Sequence, residues 1–414
     1  MLPKGMKSLF QKTILSNGIR LITYKMPEAM SVSVGLWVNA GSRCETPENN
    51  GVSHFIEHML FKGTKNRSAK KIAQIFDSIG GQINAFTSKE CTCFYTKTLS
   101  SYLSLSLDVL SDMFFNSVFD EGEMELEKNV VIEEINMYED TPEELVNDIS
   151  SESIYKKSLG YTILGPKENV SNFTRQDIID YMRDNYTLNR LVISVAGNFD
   201  EKELNKCINK YFACKEKTFS EVKYEKNRFC SGETIRQKDI EQAHLCVAYP
   251  GLRSEDKLVY PSLALSLAFG GGMSSRLFQE IREKRGYTYS VYSYTSSYMK
   301  EGTIDIYAGF NPLNCDKVLE LVEKEVDKLV SRGLTKKEMN DAKKQLEGNF
   351  LLGLENSTSI MSYGGKSEVL WNYIESIEEV LDQIRGIDED QINEVIERTF
   401  GSGKRNITIL GNLT

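Results

Sequence analysis

Apolar residues recur along the chain with two different periods, and the switches between them lay out its elements. Residues 13–15 and 19–24 flank an Asn17-Gly18 pair, the signature of a tight hairpin turn. Residues 31–38 form a near-continuous apolar run of strand length, broken afterwards by Gly41-Ser42 and Pro47. The period then becomes helical. Ser68 stands before Ile72, Ile75, Phe76 and Ile79, spaced i, i+3, i+4 and i+7, and Gly80-Gly81 ends the pattern. Residues 82–87 and 91–97 read as a strand pair, and Leu103, Leu107, Leu110 and Phe114 mark another helix. A glutamate-rich helix follows over residues 121–138, with Met124, Glu127, Val131, Glu134, Ile135 and Tyr138 on one face. Strands separated by helices without strict βαβ alternation point to an α+β fold.

The pattern repeats. At a constant offset of 214, which is 388 minus 174, Thr174 overlies Asp388 as a helix cap, Ile178 overlies Ile392, and Gly197-Asn198 overlies Gly411-Asn412. At a similar offset residues 243–249 match the apolar run at 31–38. The chain therefore divides into two related halves, residues 1–214 and 233–414, joined by residues 215–232, whose charged stretch from Lys215 to Lys226 carries no core signal.

With 414 residues, 40% hydrophobic and 26% charged, a large core is available. A net charge of −9 and a pI near 5.3 disfavour nucleic acid or an anionic membrane surface as partner and suit cationic peptides. The first ten residues hold no apolar run of signal-peptide length and no arginines of a transit peptide, and no run reaches membrane-spanning length. The eight cysteines (44, 91, 93, 207, 214, 230, 246, 315) lack paired zinc-ribbon spacing and are expected to be reduced thiols, which places the protein in the cytoplasm.

Two of the chain's three histidines fall in one window, His54-Phe55-Ile56-Glu57-His58. On a helix, His54 and His58 are i and i+4, so both imidazoles reach one ion, and Glu57 beside them can take a proton from water without being a ligand. The two carboxylates on the apolar face of residues 121–138 need a partner, and a divalent cation would be one. Periodicity does not choose between them and Glu133, which shares a second partly apolar stripe with Leu126, Val130 and Met137. The His-x-x-Glu-His order resembles the inverted zincins, the metallopeptidase family of pitrilysin, insulin-degrading enzyme and the mitochondrial processing peptidases. That resemblance implies one Zn2+ per chain held by His54, His58 and Glu134, with Glu127 supporting the site. It also implies that Asn84, Ala85 and Phe86 bind the peptide substrate by β-augmentation.

In the second half the stretch from Phe269 to Ser290 opens with three glycines, yet it has neither the Walker ending nor the Rossmann spacing of a phosphate loop. It resembles the C-terminal half of the same family, where an arginine and a tyrosine seven residues apart reach the zinc. Arg282 and Tyr289 fit that spacing and would hold substrate carbonyls and stabilise an oxyanion. His244 stands alone and is given no role. The resemblance implies a duplicated unit of antiparallel-rich sheet with helices on one face, hydrolysis inside a closed chamber, and a homodimer or a heterodimer with a related subunit, since long members carry four such units. Two function classes follow: a zinc endopeptidase, favoured by the intact His-x-x-Glu-His with Arg282 and Tyr289, and a non-catalytic scaffold or partner subunit.

Overall fold

The structure, a computed structural model, describes residues 10–225 and 227–413. The N-terminal reading, apart from Phe10, and Lys226 of the charged connection lie outside the described residues.

Eleven strands form two sheets among the described residues: β1 Phe10–Ile14, β2 Arg20–Lys25, β3 Ser31–Val38, β4 Gln82–Thr87, β5 Thr92–Leu99, β6 Leu191–Gly197, β7 Gly232–Gln237, β8 Ala243–Pro250, β9 Thr288–Ser297, β10 Gly302–Phe310 and β11 Asn406–Gly411. The first sheet has the order β1-β2-β6-β3-β5-β4, the second β7-β11-β8-β10-β9. Each holds one parallel pair, β2 with β6 and β7 with β11, in an otherwise antiparallel sheet. The α+β reading and the duplication are both visible in these orders. The repeat extends to local detail. Thr174 and Asp388 each head a helix with a complete capping box. Gly197 and Gly411 each end a strand in the left-handed half of backbone space, at φ +125° and +153°, where a Cβ would meet Ser31 O at 2.3 Å and Ala243 Cα at 2.9 Å.

Alternation sets what each sheet face meets. In β3, Val32, Val34, Leu36 and Val38 enter the main core with the helices α1 Val52–Leu60, α2 Ala69–Ile79, α3 Leu103–Asn116 and α4 Glu121–Glu139. The residues between them face a single helix, Ser357–Trp371, drawn from the second half of the sequence. Ser33 bonds Ser357 and Thr358, Trp37 Nε1 meets Met361 Sδ at 3.4 Å, and Ser194 Oγ donates to Met361 O at 2.8 Å. Glycine lets this helix lie close: a Cβ on Gly365 would stand 2.1 Å from Trp37 Nε1. The second sheet does the converse. Ala243, Leu245, Val247 and Tyr249 enter its own core, while Cys246 and Ala248 pack with residues of α5 Pro142–Tyr155, drawn from the first half.

The contiguous division into 1–214 and 233–414 therefore differs from the spatial one. Among the described residues, one compact unit comprises those up to 136, 161–224 and 353–377, and the other those of 137–160, of 225–352 and from 378 onward. The reason is physical: a helix's periodicity reports that one of its faces is buried, not which sheet buries it. The connection also has a packed part. Ser220 N donates to Asn189 Oδ1, and Tyr224 OH donates to Asn39 Oδ1 at 2.6 Å.

Candidate metal centre

The helix α1 carries His54, Glu57 and His58, and neither Asn49 nor Asn50, residues of the type that commonly cap helices, is its N-cap. Its N-cap is Gly51, at φ +99°, and the helix stops at Leu60, before Gly63. The capping group comes from upstream. The buried Glu45 carboxylate accepts from the backbone N–H groups of Gly51 and Ser53 and from Asn50 Nδ2, each at 2.8 Å. Such a carboxylate satisfies orphan donors and complements the positive end of the helix dipole.

Across from α1, α4 presents Glu134. His54 Nε2 lies 3.6 Å and His58 Nε2 3.4 Å from Glu134 Oε2, and one ligand atom from each of the three residues lies within 4.8 Å of the others. Around a tetrahedral zinc with bonds of about 2.0–2.1 Å, donor atoms stand roughly 3.3 Å apart, and two histidines with a glutamate are a known catalytic zinc set. The residues present thus fit a zinc ion. Glu133 is exposed and points elsewhere, as do Leu126, Val130 and Met137 of its stripe.

Glu127, one heptad before Glu134, accepts from His58 Nδ1 at 2.8 Å with one oxygen, and its other oxygen is bridged by Lys62 Nζ. Burial pushes the Glu127 carboxyl up, but the hydrogen bonds from His58 and Lys62 outweigh it and hold the group below its usual range. His58 shows the converse balance: burial works to lower it, and the hydrogen bonds and charges of Glu127 and Glu134 raise it to about 9. His54 is pushed down to about 4 by burial and by the neighbouring His58. Its Nδ1 is buried without a protein hydrogen-bond partner. Glu57 is raised by burial, opposed by a 2.6 Å hydrogen bond donated by Thr87 Oγ1.

Asn84, Ala85 and Phe86 lie on β4, an edge strand of the first sheet, which leaves one side of its backbone open to an added strand. Asn84 and Phe86 are exposed, Phe86 resting edge-on against Trp37, and Ala85 is buried. In the other unit Arg282 is the last residue but one of the helical segment Phe278–Glu283 and Tyr289 is the second residue of β9, with Gly286 at φ +64° between them. The guanidinium stacks on the Tyr289 ring at 4.8 Å and on Phe278 at 4.7 Å, and among the described residues no carboxylate pairs with it. Tyr289 is 73% exposed, so its hydroxyl is open to a ligand. His244 Nδ1 bonds Tyr307 OH at 2.8 Å. All eight cysteines are free. No helix among the described residues is long and apolar enough to cross a membrane.

Three residues at this centre escape sequence reasoning: Glu45, Lys62 and Thr87. Lys62 alone left a trace, standing four residues after His58. Thr87 is brought in by strand pairing and Glu45 by a loop, neither of which has a periodicity.

The His-His-Glu cluster has the donor set of a catalytic zinc site. Residues 20–167 match the family model described as Insulinase (Peptidase family M16), and residues 172–346 match the model described as Peptidase M16 inactive domain. The chain belongs to peptidase family M16. It is 42% identical to the Uncharacterized zinc protease YmxG of Bacillus subtilis over 95% of this chain and 96% of that one. An uncharacterized zinc protease of Streptomyces coelicolor is 36% identical, covering 97% and 90%. Among solved structures, a protease from Helicobacter pylori superposes with a TM-score of 0.89 at 21% identity over 98% and 99% of the two chains. A protein from Pseudomonas fluorescens titled peptidase M16 inactive domain gives 0.91 at 20%, covering 98% of both, and both show a shared fold.

Proposed function

We propose that this chain is a zinc endopeptidase in which His54, His58 and Glu134 hold the metal and Glu57 is the general base. The supporting observation is the convergence of those three donors with the Glu57 carboxylate beside them, fixed by Thr87. When bound there, zinc supplies Lewis acidity toward the scissile carbonyl and the attacking water. Glu57 accepts the proton from that water and passes it to the leaving amine, work suited to a carboxyl raised by burial. The free edge of β4 at Asn84, Ala85 and Phe86 aligns the peptide by backbone pairing. Arg282 grips substrate carbonyls, and the Tyr289 hydroxyl donates to the developing oxyanion. The description of the second matched model as inactive applies to the half without the histidine pair. The same reading carries a cytoplasmic enzyme that assembles from two copies, or with a related subunit, around a chamber that limits substrate size.

Glu57→Gln tests the reading. Zinc content by mass spectrometry should stay at the wild-type level while cleavage of a quenched peptide falls roughly a hundredfold or more. Wild-type turnover in this variant would remove Glu57 from its role. A wild-type protein that binds zinc yet cleaves no peptide in a mixed library would favour the scaffold-subunit alternative.

A further inference from the structure

The two histidines of the metal centre are supported unequally from behind. The nitrogen of His54 that faces away from Glu134, Nδ1, is buried with no protein partner. The corresponding nitrogen of His58 bonds Glu127 Oε1 at 2.8 Å, and Glu127 Oε2 in turn takes the Lys62 ammonium. Hydrogen bonding thus orients the imidazole pair from behind through one chain of groups, which ends at a lysine just beyond the end of α1.

We propose that Lys62 is a positioning residue for zinc, acting through Glu127 on His58. A carboxylate between two donors has only limited freedom to rotate. With Lys62 holding Oε2, Oε1 stays aimed at His58 Nδ1, which leaves His58 Nε2 as the lone-pair nitrogen turned toward His54 and Glu134. Lys62 also engages the oxygen by which Glu127, a buried anion next to the donor cluster, would otherwise compete as a further ligand. Without Lys62 the carboxylate can swing, His58 loses its fixed tautomer, and the donor triangle loosens. The Lys62 side chain is 29% exposed and takes no part in the hydrophobic core, so its removal leaves the packing of α1 intact.

This inference rests on the reading of the cluster as a zinc site, and the test separates the two. Zinc dissociation constants are measured by chelator competition for wild type, Lys62→Met, Lys62→Arg, Glu127→Gln and the Lys62→Met/Glu127→Gln double variant, with Tm of each metal-free chain recorded. Lys62→Met should weaken zinc binding by roughly 10–100-fold, the range for outer-shell partners of a metal ligand. Its metal-free Tm should stay at the wild-type value. Lys62→Arg should restore binding to within about threefold, and the double variant should be no weaker than Glu127→Gln alone, because both act on one chain of groups. The ligand-field spectrum of the cobalt-loaded Lys62→Met protein should shift, which a purely structural role would not produce. Unchanged affinity in Lys62→Met, or a double-variant loss equal to the product of the single losses, overturns the proposal. A wild-type chain that binds no zinc overturns the metal-site reading itself.

Discussion

The two sheets of this chain share five strands in the same order, with a parallel pair at the same place, yet only the first is accompanied by the His54, His58 and Glu134 cluster. In both units a central strand, β3 or β8, is followed in the chain by a helix packed into the unit's core. In the first unit that helix is α1, with His54, Glu57 and His58. In the second the helix Val259–Gly270 offers only apolar, small and hydroxyl side chains there. The architecture is duplicated while the candidate site occupies one copy, so a shared fold does not give both units the same chemistry.

The hardest blow to that contrast falls on the helix that completes the donor set. Glu134→Gln should weaken zinc binding by more than about a hundredfold, beyond the 10–100-fold typical of outer partners, whereas the exposed Glu133→Gln should leave it unchanged. Mass spectrometry of metal content at limiting zinc reads both, and the reverse ranking would move the ligand by one residue. Arg282→Ala probes the unit without the histidine pair. Zinc content should be untouched and hydrolysis should drop by at least about tenfold through lost grip on the substrate. Full activity would leave the second unit as scaffold only.

Stability experiments address what the units share and where they differ. Gly365→Ala forces a methyl against Trp37 beneath the first sheet and should cost about 2–3 kcal/mol in urea unfolding. Gly348→Ala, in the second unit's Lys336–Gly353 helix with open space around it, should stabilise by about 0.5–1 kcal/mol. The smallest effect compares Cys93 with Asp305, which hold equivalent register positions, Cys93 opposite Trp37 and Asp305 opposite Ala248. Burial raises the Asp305 carboxyl to about 7, against the hydrogen bond it accepts from Thr303 Oγ1. A carboxyl raised in the folded state stabilises least when ionised, so its penalty grows from about pH 4 to pH 7 and is constant above. Asp305→Asn should therefore gain at least ~1 kcal/mol more at pH 8 than at pH 4, read from unfolding of the metal-free chain. A pH-independent difference would show that Asp305 is ionised without strain.

Much of this was legible in the residues. The capping positions Thr174 and Asp388, the glycines closing β6 and β11, and the strand pair β4–β5 follow from local propensity and period, and they are found where expected. His54 and His58 share a helical face for the same reason. The choice of Glu134 over Glu133 was not legible from period, because α4 carries apolar residues on two faces and only tertiary contact decides which is inside. The Glu45 cap was invisible because it arrives from a loop, and the Lys62 bridge left only its spacing from His58, because it stands beyond the helix end. Which sheet a helix covers was not legible either, since Ser357–Trp371 and α5 each lie on the sheet of the other half.

That exchange has a consequence for how the protein is made. After β6 is complete at Gly197, about 174 further residues (371 minus 197) must leave the ribosome before the helix Ser357–Trp371 can cover Ser33, Trp37 and Ser194. At translation rates of about 5–20 residues per second, the first sheet waits roughly 9 to 35 seconds with an aromatic-bearing face bare. Either half expressed alone would lack the helix that covers its sheet.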